Sequence, residues 1–198
     1  MSDPSHKVII ITAPSGAGKT SITHYLMQRI PRLRFSVSAT TRLPRPKEQN
    51  GVDYYFISTE EFKKQIGADA FIEHEMVYEG LYYGTLKSEV DRIWSLGQVP
   101  LLDIDVQGAI NVQKRYSGNT LSLFIQPPSM EELKRRLEKR GTETPASLAR
   151  RLEKASYELT FINEFDAVIV NDNLEEACGQ AGSLVEKFLQ ETQIRPNI

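Results

Sequence analysis

Val8-Ile9-Ile10-Ile11 places four β-branched residues in a row with no polar position among them. A strand with one wet face would alternate apolar and polar, so this run predicts cover on both faces, as in a parallel sheet. Thr12-Ala13-Pro14 ends it, a Gly-rich turn follows, and residues 19–29 read as a helix stopped near Pro31. Residues 99–105, finishing in Asp103-Ile104-Asp105, and 121–125 read as further buried strands, and 167–170 supply a last short run. Helical-period stretches lie between and after them, at 89–96 (ended by Gly97), 130–140, 146–159 and 174–189. Strands alternating with helices predict a parallel sheet built through right-handed crossovers.

Residues 35–97 break that rhythm. Residues 35–37 and 54–57 read as short strands, and 40–51, with Pro44 and Pro46, as an ordered polar loop. Thr59 followed by Glu60, Glu61 and Phe62 reads as a capped helix start. The Tyr- and Glu-rich segment 71–85, with Gly80 and Gly84, reads as short strands and turns. The segment predicts an inserted mixed α+β lobe on an α/β core.

Composition narrows the chemistry. A length of 198 residues suits one domain or a core with small lobes, and 40% apolar with 25% charged residues is ordinary for a globular chain. A net charge of -2 leaves no global field to draw nucleic acid or membrane, so an anion site must be local. The single cysteine, Cys178, rules out an intramolecular disulfide and a Cys-based zinc cluster, and in a helix it predicts an inert buried thiol. Residues 1–7 are polar, without the apolar core of a signal peptide, and no apolar run is long enough to cross a membrane. A cytoplasmic protein is expected, with no polymeric nucleic acid or membrane as partner; monomer and homo-oligomer both fit.

The local anion site is Ala13-Pro14-Ser15-Gly16-Ala17-Gly18-Lys19-Thr20, the Walker A pattern except for Ala13 in place of its first Gly. It follows a buried strand and opens a helix. There the glycines let backbone N–H groups turn onto phosphate oxygens, Lys19 reaches the β- and γ-phosphates, and the Thr20 hydroxyl can ligate Mg²⁺. Ala13 is the one departure, since a methyl group is costly wherever the backbone needs a positive φ. Residues 99–103 deliver Asp103 to a strand end, as a Walker B strand does, and place it near Mg²⁺ through water.

The segments Ser36-Val37-Ser38-Ala39-Thr40-Thr41-Arg42-Leu43-Pro44-Arg45-Pro46 and Asn50-Gly51-Val52-Asp53-Tyr54-Tyr55-Phe56 resemble the guanylate kinase family. So do Phe71-Ile72-Glu73, Tyr82-Tyr83-Gly84-Thr85, the run from Leu102 to Gly108, Arg136 to Thr144 and Val168 to Asp172, in order and at family-like spacing. The resemblance implies a P-loop core of residues 1–34, 98–126 and 159–198, a GMP-binding lobe at 35–97 and a helical lid at 127–158. It implies transfer of the γ-phosphoryl group of ATP to GMP, with dGMP left open, and Mg²⁺ as cofactor. Arg42, Arg45, Tyr54 and Tyr83 would hold the GMP phosphate, and Ser38, Glu73, Thr85 and Asp105 would contact guanine.

The residue types suit those roles. Two Arg forks in a Pro-stiffened loop can grip a monophosphate, and guanine's N1–H and N2–H₂ donors call for carboxylates. The resemblance also makes Arg136, Arg140 and Arg151 lid arginines that meet the transferred phosphoryl group, and sets Asn171 at the adenine or its loop. Lys134, Arg135 and Lys139 read as a solvated helix face. Two other readings are weaker. A guanylate-kinase-like protein-binding module would have a degraded phosphate loop, whereas Gly18-Lys19-Thr20 is intact. A kinase for another small acceptor would not need the Glu73/Asp105 pair.

Overall fold

The computed structural model describes residues 6–139, 141 and 144–191. Strand β1 (Val8–Thr12) is buried at every position and leads through the Gly-rich turn into helix α1 (Lys19–Arg29). With β2 (Leu33–Phe35), β7 (Val99–Asp103), β8 (Thr120–Gln126) and β9 (Ala167–Val170) it forms a five-stranded parallel sheet in the order β2-β7-β1-β8-β9. Ile9 and Ile11 pack on one side with Ile22 and Leu26 of α1 and with Ala181 and Val185 of α7 (Leu174–Gln190). Val8 and Ile10 pack on the other side with Ala109 and Val112 of α4 (Val106–Arg115) and with Val90 of α3 (Lys87–Ser95). Cover on both faces is why the strand has no polar position from Val8 to Ile11. Truncating one of these isoleucines to Ala would cost about 2–5 kcal/mol in lost transfer energy and cavity.

The second sheet has the order β4-β3-β6-β5, from β3 (Ala39–Thr40), β4 (Tyr55–Phe56), β5 (Phe71–Tyr78) and β6 (Leu81–Leu86). Phe62 of α2 (Thr59–Gly67) stacks on Phe71 beneath it, with ring centroids 4.4 Å apart. At Gly84 the hairpin closes tightly: a Cβ there would lie 2.8 Å from Phe71 Cδ1 and 3.0 Å from the Glu73 carbonyl. Helices α5 (Met130–Lys139) and α6 (Pro145–Leu159) pack together through Leu133, Leu137 and Ala155.

Three local expectations need correcting. The strand expected at 35–37 lies at Leu33–Phe35, where Leu33 pairs with Val99. The cap of α2 is Ser58, whose hydroxyl accepts the Glu61 N–H at 3.0 Å, and Thr59 is already helical. Strand β7 stops at Asp103, because Asp105 caps α4, a helix the apolar pattern did not announce. Val106, Ile110 and Val112 are β-branched and Gly108 is a poor helix former, so local propensity argued against it. Burial of Val106, Ala109, Ile110 and Val112 against the sheet decides the matter.

Candidate active site

The phosphate loop needs glycine at two positions. Gly16 and Gly18 have φ of +97° and +103°. A Cβ on Gly18 would lie 2.0 Å from Asn171 Nδ2, and one on Gly16 would lie 3.0 Å from both Leu133 Cδ1 and Leu137 Cδ2. Ala13 corrects the expectation of a cost: it is not among the residues with positive φ, and its methyl group is buried in the core. Asn171 braces the loop from behind. It is 4% exposed, and its Nδ2 donates to the Ala17 carbonyl at 2.7 Å, so its amide is spent on the loop's backbone.

Lys19 opens α1 and forms an ion pair with Asp103 at the end of β7, the strand beside β1. Burial works to lower the ammonium's pKa, but the Asp103 carboxylate outweighs it and raises the pKa. Thr20 is exposed in the first turn of α1. One hydroxyl and one carboxylate beside a phosphate cradle fit Mg²⁺, which keeps several waters and takes few protein ligands alongside substrate phosphates. Among the described residues no three His, Cys, Asp or Glu side chains converge on a metal, so such an ion would depend on the nucleotide.

Two cavities meet here. One, about 350 Å³, lies over the loop and is lined by Ser15, Gly16, Lys19, Thr20, Arg151 and Glu158 among others. The other, about 320 Å³, is lined by Ser38, Tyr54, Glu73, Tyr83, Asp103 and Asp105 among others. Five of the eight residues expected to hold GMP thus share one cavity. Thr85 lies buried beneath it and donates its hydroxyl to Glu73 Oε1 at 2.6 Å.

Arg42 and Arg45 do not line either cavity. Arg42 forks onto both Glu48 oxygens at 2.6 Å, and its guanidinium carbon sits 4.9 Å from the Tyr54 ring centroid. The Arg45 backbone N–H donates to Glu48 Oε2 at 2.7 Å. The Arg42 fork, seconded by that N–H, holds the Glu48 carboxyl down to about 2.

Glu73 is the acid of the site pushed furthest upward. It is 7% exposed, and burial pushes its carboxyl up to about 7, with Asp105 and Glu75 adding to the rise and the Thr85 hydrogen bond opposing it. Asp105 accepts the Gly108 N–H at 2.9 Å as the N-cap of α4. Gly108 is what lets both carboxylates approach that helix end: a Cβ there would lie 2.6 Å from Glu73 Oε2 and 3.3 Å from Asp105 Oδ1. A helix N-terminus is a favourable place for negative charge.

Of the arginines expected in the lid, Arg151 donates to Ser15 Oγ at 2.6 Å. Arg136 is tethered instead, to Glu132 Oε1 at 2.7 Å and the Asn171 carbonyl at 2.9 Å. Arg140 lies outside the described residues. Cys178 is buried in α7, as expected, and burial raises its thiol pKa. Glu48, Gly108, Lys154 and Glu158 carry no role in the sequence expectations. The last two follow Arg151 at helical spacing, which was a usable signal. Glu48 sits in an irregular loop, where no period marks it.

A parallel sheet whose central strand feeds a Gly-rich loop, a lysine and a neighbouring strand-end carboxylate defines a P-loop nucleotide-binding α/β protein. The family model described as guanylate kinase matches residues 5–188. The chain is 48% identical over 183 residues to the guanylate kinase of Bacteroides fragilis, covering 92% of this chain and 90% of that one. It is 48% identical over 186 residues to that of Salinibacter ruber, covering 94% and 98%. The crystal structure of guanylate kinase from Anaplasma phagocytophilum matches with a TM-score of 0.77 at 30% identity, over 96% of this chain and 89% of that one. The chain belongs to the guanylate kinase family, the nucleoside monophosphate kinases that transfer a phosphoryl group from ATP to GMP. Among the described residues no helix is long and apolar enough to cross a membrane.

Proposed function

We propose that the cavity over residues 13–20 takes ATP, that its neighbour takes GMP, and that the γ-phosphoryl group passes between them in line. The observation that carries this reading is the shared wall: Ser15, Lys19 and Asp105 border both cavities, so the two nucleotides meet at the phosphate lysine. Backbone N–H groups of the loop bind the donor's phosphates, and Lys19 supplies a fixed charge beside the γ-phosphoryl. Thr20, with Asp103 through water, would hold Mg²⁺, which when bound neutralises phosphate charge.

Glu73 and Asp105 accept from guanine's Watson–Crick edge, Ser38 and Thr85 offer hydroxyls, and Tyr54, Tyr83, Arg42 and Arg45 grip the phosphate. No general base is needed, because the accepting oxygen is already anionic. The lobe at 35–97 and the lid at 127–158, with Arg136, Arg140 and Arg151, close over the nucleotides and exclude water. Within that lobe Ile72 of β5 and Val90 of α3 belong to the same buried cluster as Val8 and Ile10 of β1, so these segments anchor the lobe to the core. The test is an ADP-release assay across GMP, dGMP, AMP, CMP and UMP, on the wild type and on Glu73→Gln. GMP is expected to be used well and AMP hardly at all. Glu73→Gln, which turns one acceptor into a donor, is expected to depress GMP use while sparing ATP affinity. Equal use of AMP and GMP by the wild type would refute the base assignment.

A further inference from the structure

Helix α6 carries Arg151, Lys154 and Glu158 at spacings of three and four, which puts them on one face. That face looks onto the phosphate loop. Arg151 donates to Ser15, and Glu158, only 6% exposed, lies within electrostatic reach of Lys19 and Asp105. Lys154 stands between them and borders both cavities. The other three residues common to the two cavities come from the phosphate loop and the cap of α4, so Lys154 is the only one supplied by α6. Its Nζ lies 3.6 Å from Glu158 Oε1, and its side chain is 41% exposed.

We propose that Lys154 is a catalytic residue of the phosphoryl transfer, its ammonium meeting the phosphoryl group as it crosses from one cavity to the other. The inference rests on the two-cavity reading above. In the crossing, the bond from the γ-phosphorus to the β–γ bridging oxygen breaks as one forms to a GMP phosphate oxygen, and Lys154 exchanges neither proton nor electron. Negative charge spreads over the equatorial oxygens of the group in transit, so a cation at the boundary stabilises the transition state more than either ground state. The shared boundary holds two cations, Lys19 and Lys154, and Lys19 is already bound to Asp103. Lys154 is suited to a moving target: three rotatable donors on a flexible, part-exposed stem, in a long ion pair with the buried Glu158 carboxylate that a phosphate of higher charge can displace.

The test compares the wild type with Lys154→Ala and Lys154→Arg in steady-state kinetics with ATP and GMP. Calorimetric Kd values for each nucleotide alone and Tm values accompany the kinetics. Lys154→Ala is expected to lower kcat by about ten- to hundredfold, below the loss for a fully buried donor because this site is part-exposed. Kd for ATP and GMP is expected to stay within about twofold and Tm nearly unchanged, while Lys154→Arg, which keeps the charge, regains most of the rate. A kcat within about threefold of the wild type in Lys154→Ala would overturn the proposal. So would a loss matched by an equal loss of GMP or ATP affinity, or a loss that tracks Tm and is not regained by Arg. Failure of the wild type itself to use GMP would sink the two-cavity reading instead, which keeps the two failures distinct.

Discussion

Binding of GMP is expected to release a proton from Glu73. The perturbation is pH, and its size follows from where this carboxyl sits. It is 7% exposed, accepts one short hydrogen bond from Thr85 on β6, and faces the carboxylates of Asp105 and Glu75. Burial is the largest influence, and it carries the group from an ordinary 4.5 up to about 7. A carboxyl there is roughly nine-tenths protonated at pH 6 and roughly one-tenth at pH 8. Guanine presents two adjacent donors, and only the ionised carboxylate accepts both. Binding therefore selects the ionised form, and this group alone should make GMP bind about tenfold more weakly at pH 6 than at pH 8, or ~1.4 kcal/mol.

The sign for folding runs the other way in the ligand-free protein. The folded state holds the Glu73 proton more tightly than the unfolded chain, so its contribution is greatest below about 4.5 and is lost as pH rises toward about 7. The difference amounts to roughly 3 kcal/mol at most. The Arg42–Glu48 clasp does not share this window, since the Glu48 carboxyl at about 2 stays ionised throughout.

Calorimetry in buffers of different ionisation enthalpy counts the protons. The phosphate of GMP contributes its own, having a second ionisation near about 6. The informative quantity is thus the difference between the wild type and Glu73→Gln at pH 6, expected at about 0.9 proton. Carbon-13 titration of the ligand-free carboxyl reads the same group without nucleotide. A midpoint near 4.5, or identical proton counts in the two proteins, would refute the account of Glu73 as a buried acid that GMP ionises.

Two further outcomes follow from the phosphate loop. Lys19→Ala is expected to fold normally and lose about a hundred- to thousandfold in kcat, since it removes a preorganised charge from a developing anion; near-normal turnover would remove the loop from the chemistry. Asn171→Ala leaves the Ala17 carbonyl without its buried donor, at about 1–3 kcal/mol, which a thermal melt should register as a fall of roughly 2–12 °C; an unchanged Tm would mean that the brace contributes nothing.

The features legible in sequence were those in which the chemistry is local. Gly16, Gly18, Lys19 and Thr20 sit within five residues of one another after a buried strand, so their geometry is set by a single turn. Glu73 illustrates the other case. Its neighbours in sequence, Ile72 and His74, mark it as one position of a strand, and nothing local says that it is sealed from water. That follows from residues outside its own strand: Thr85 across the hairpin, and at the start of α4 both Asp105 and Gly108, whose missing side chain makes room for the carboxylate. The same limit hid α4, whose β-branched residues make sense only once the sheet is there to bury them. It also hid Glu48, whose meaning depends on where Arg42 turns. Resemblance to a family bridged part of this gap by supplying Glu73 and Asp105 as a pair. It could not supply Gly108 as the reason the pair is possible, or Lys154 as a cation at the boundary, because both arise from the packing of particular side chains in this chain. A functional residue is legible from sequence to the extent that its environment is built by its neighbours. At the meeting of the two cavities the environment is built by three segments far apart in the chain, the phosphate loop, the cap of α4 and helix α6, which is why Lys154 is not legible along the chain as a residue of that junction.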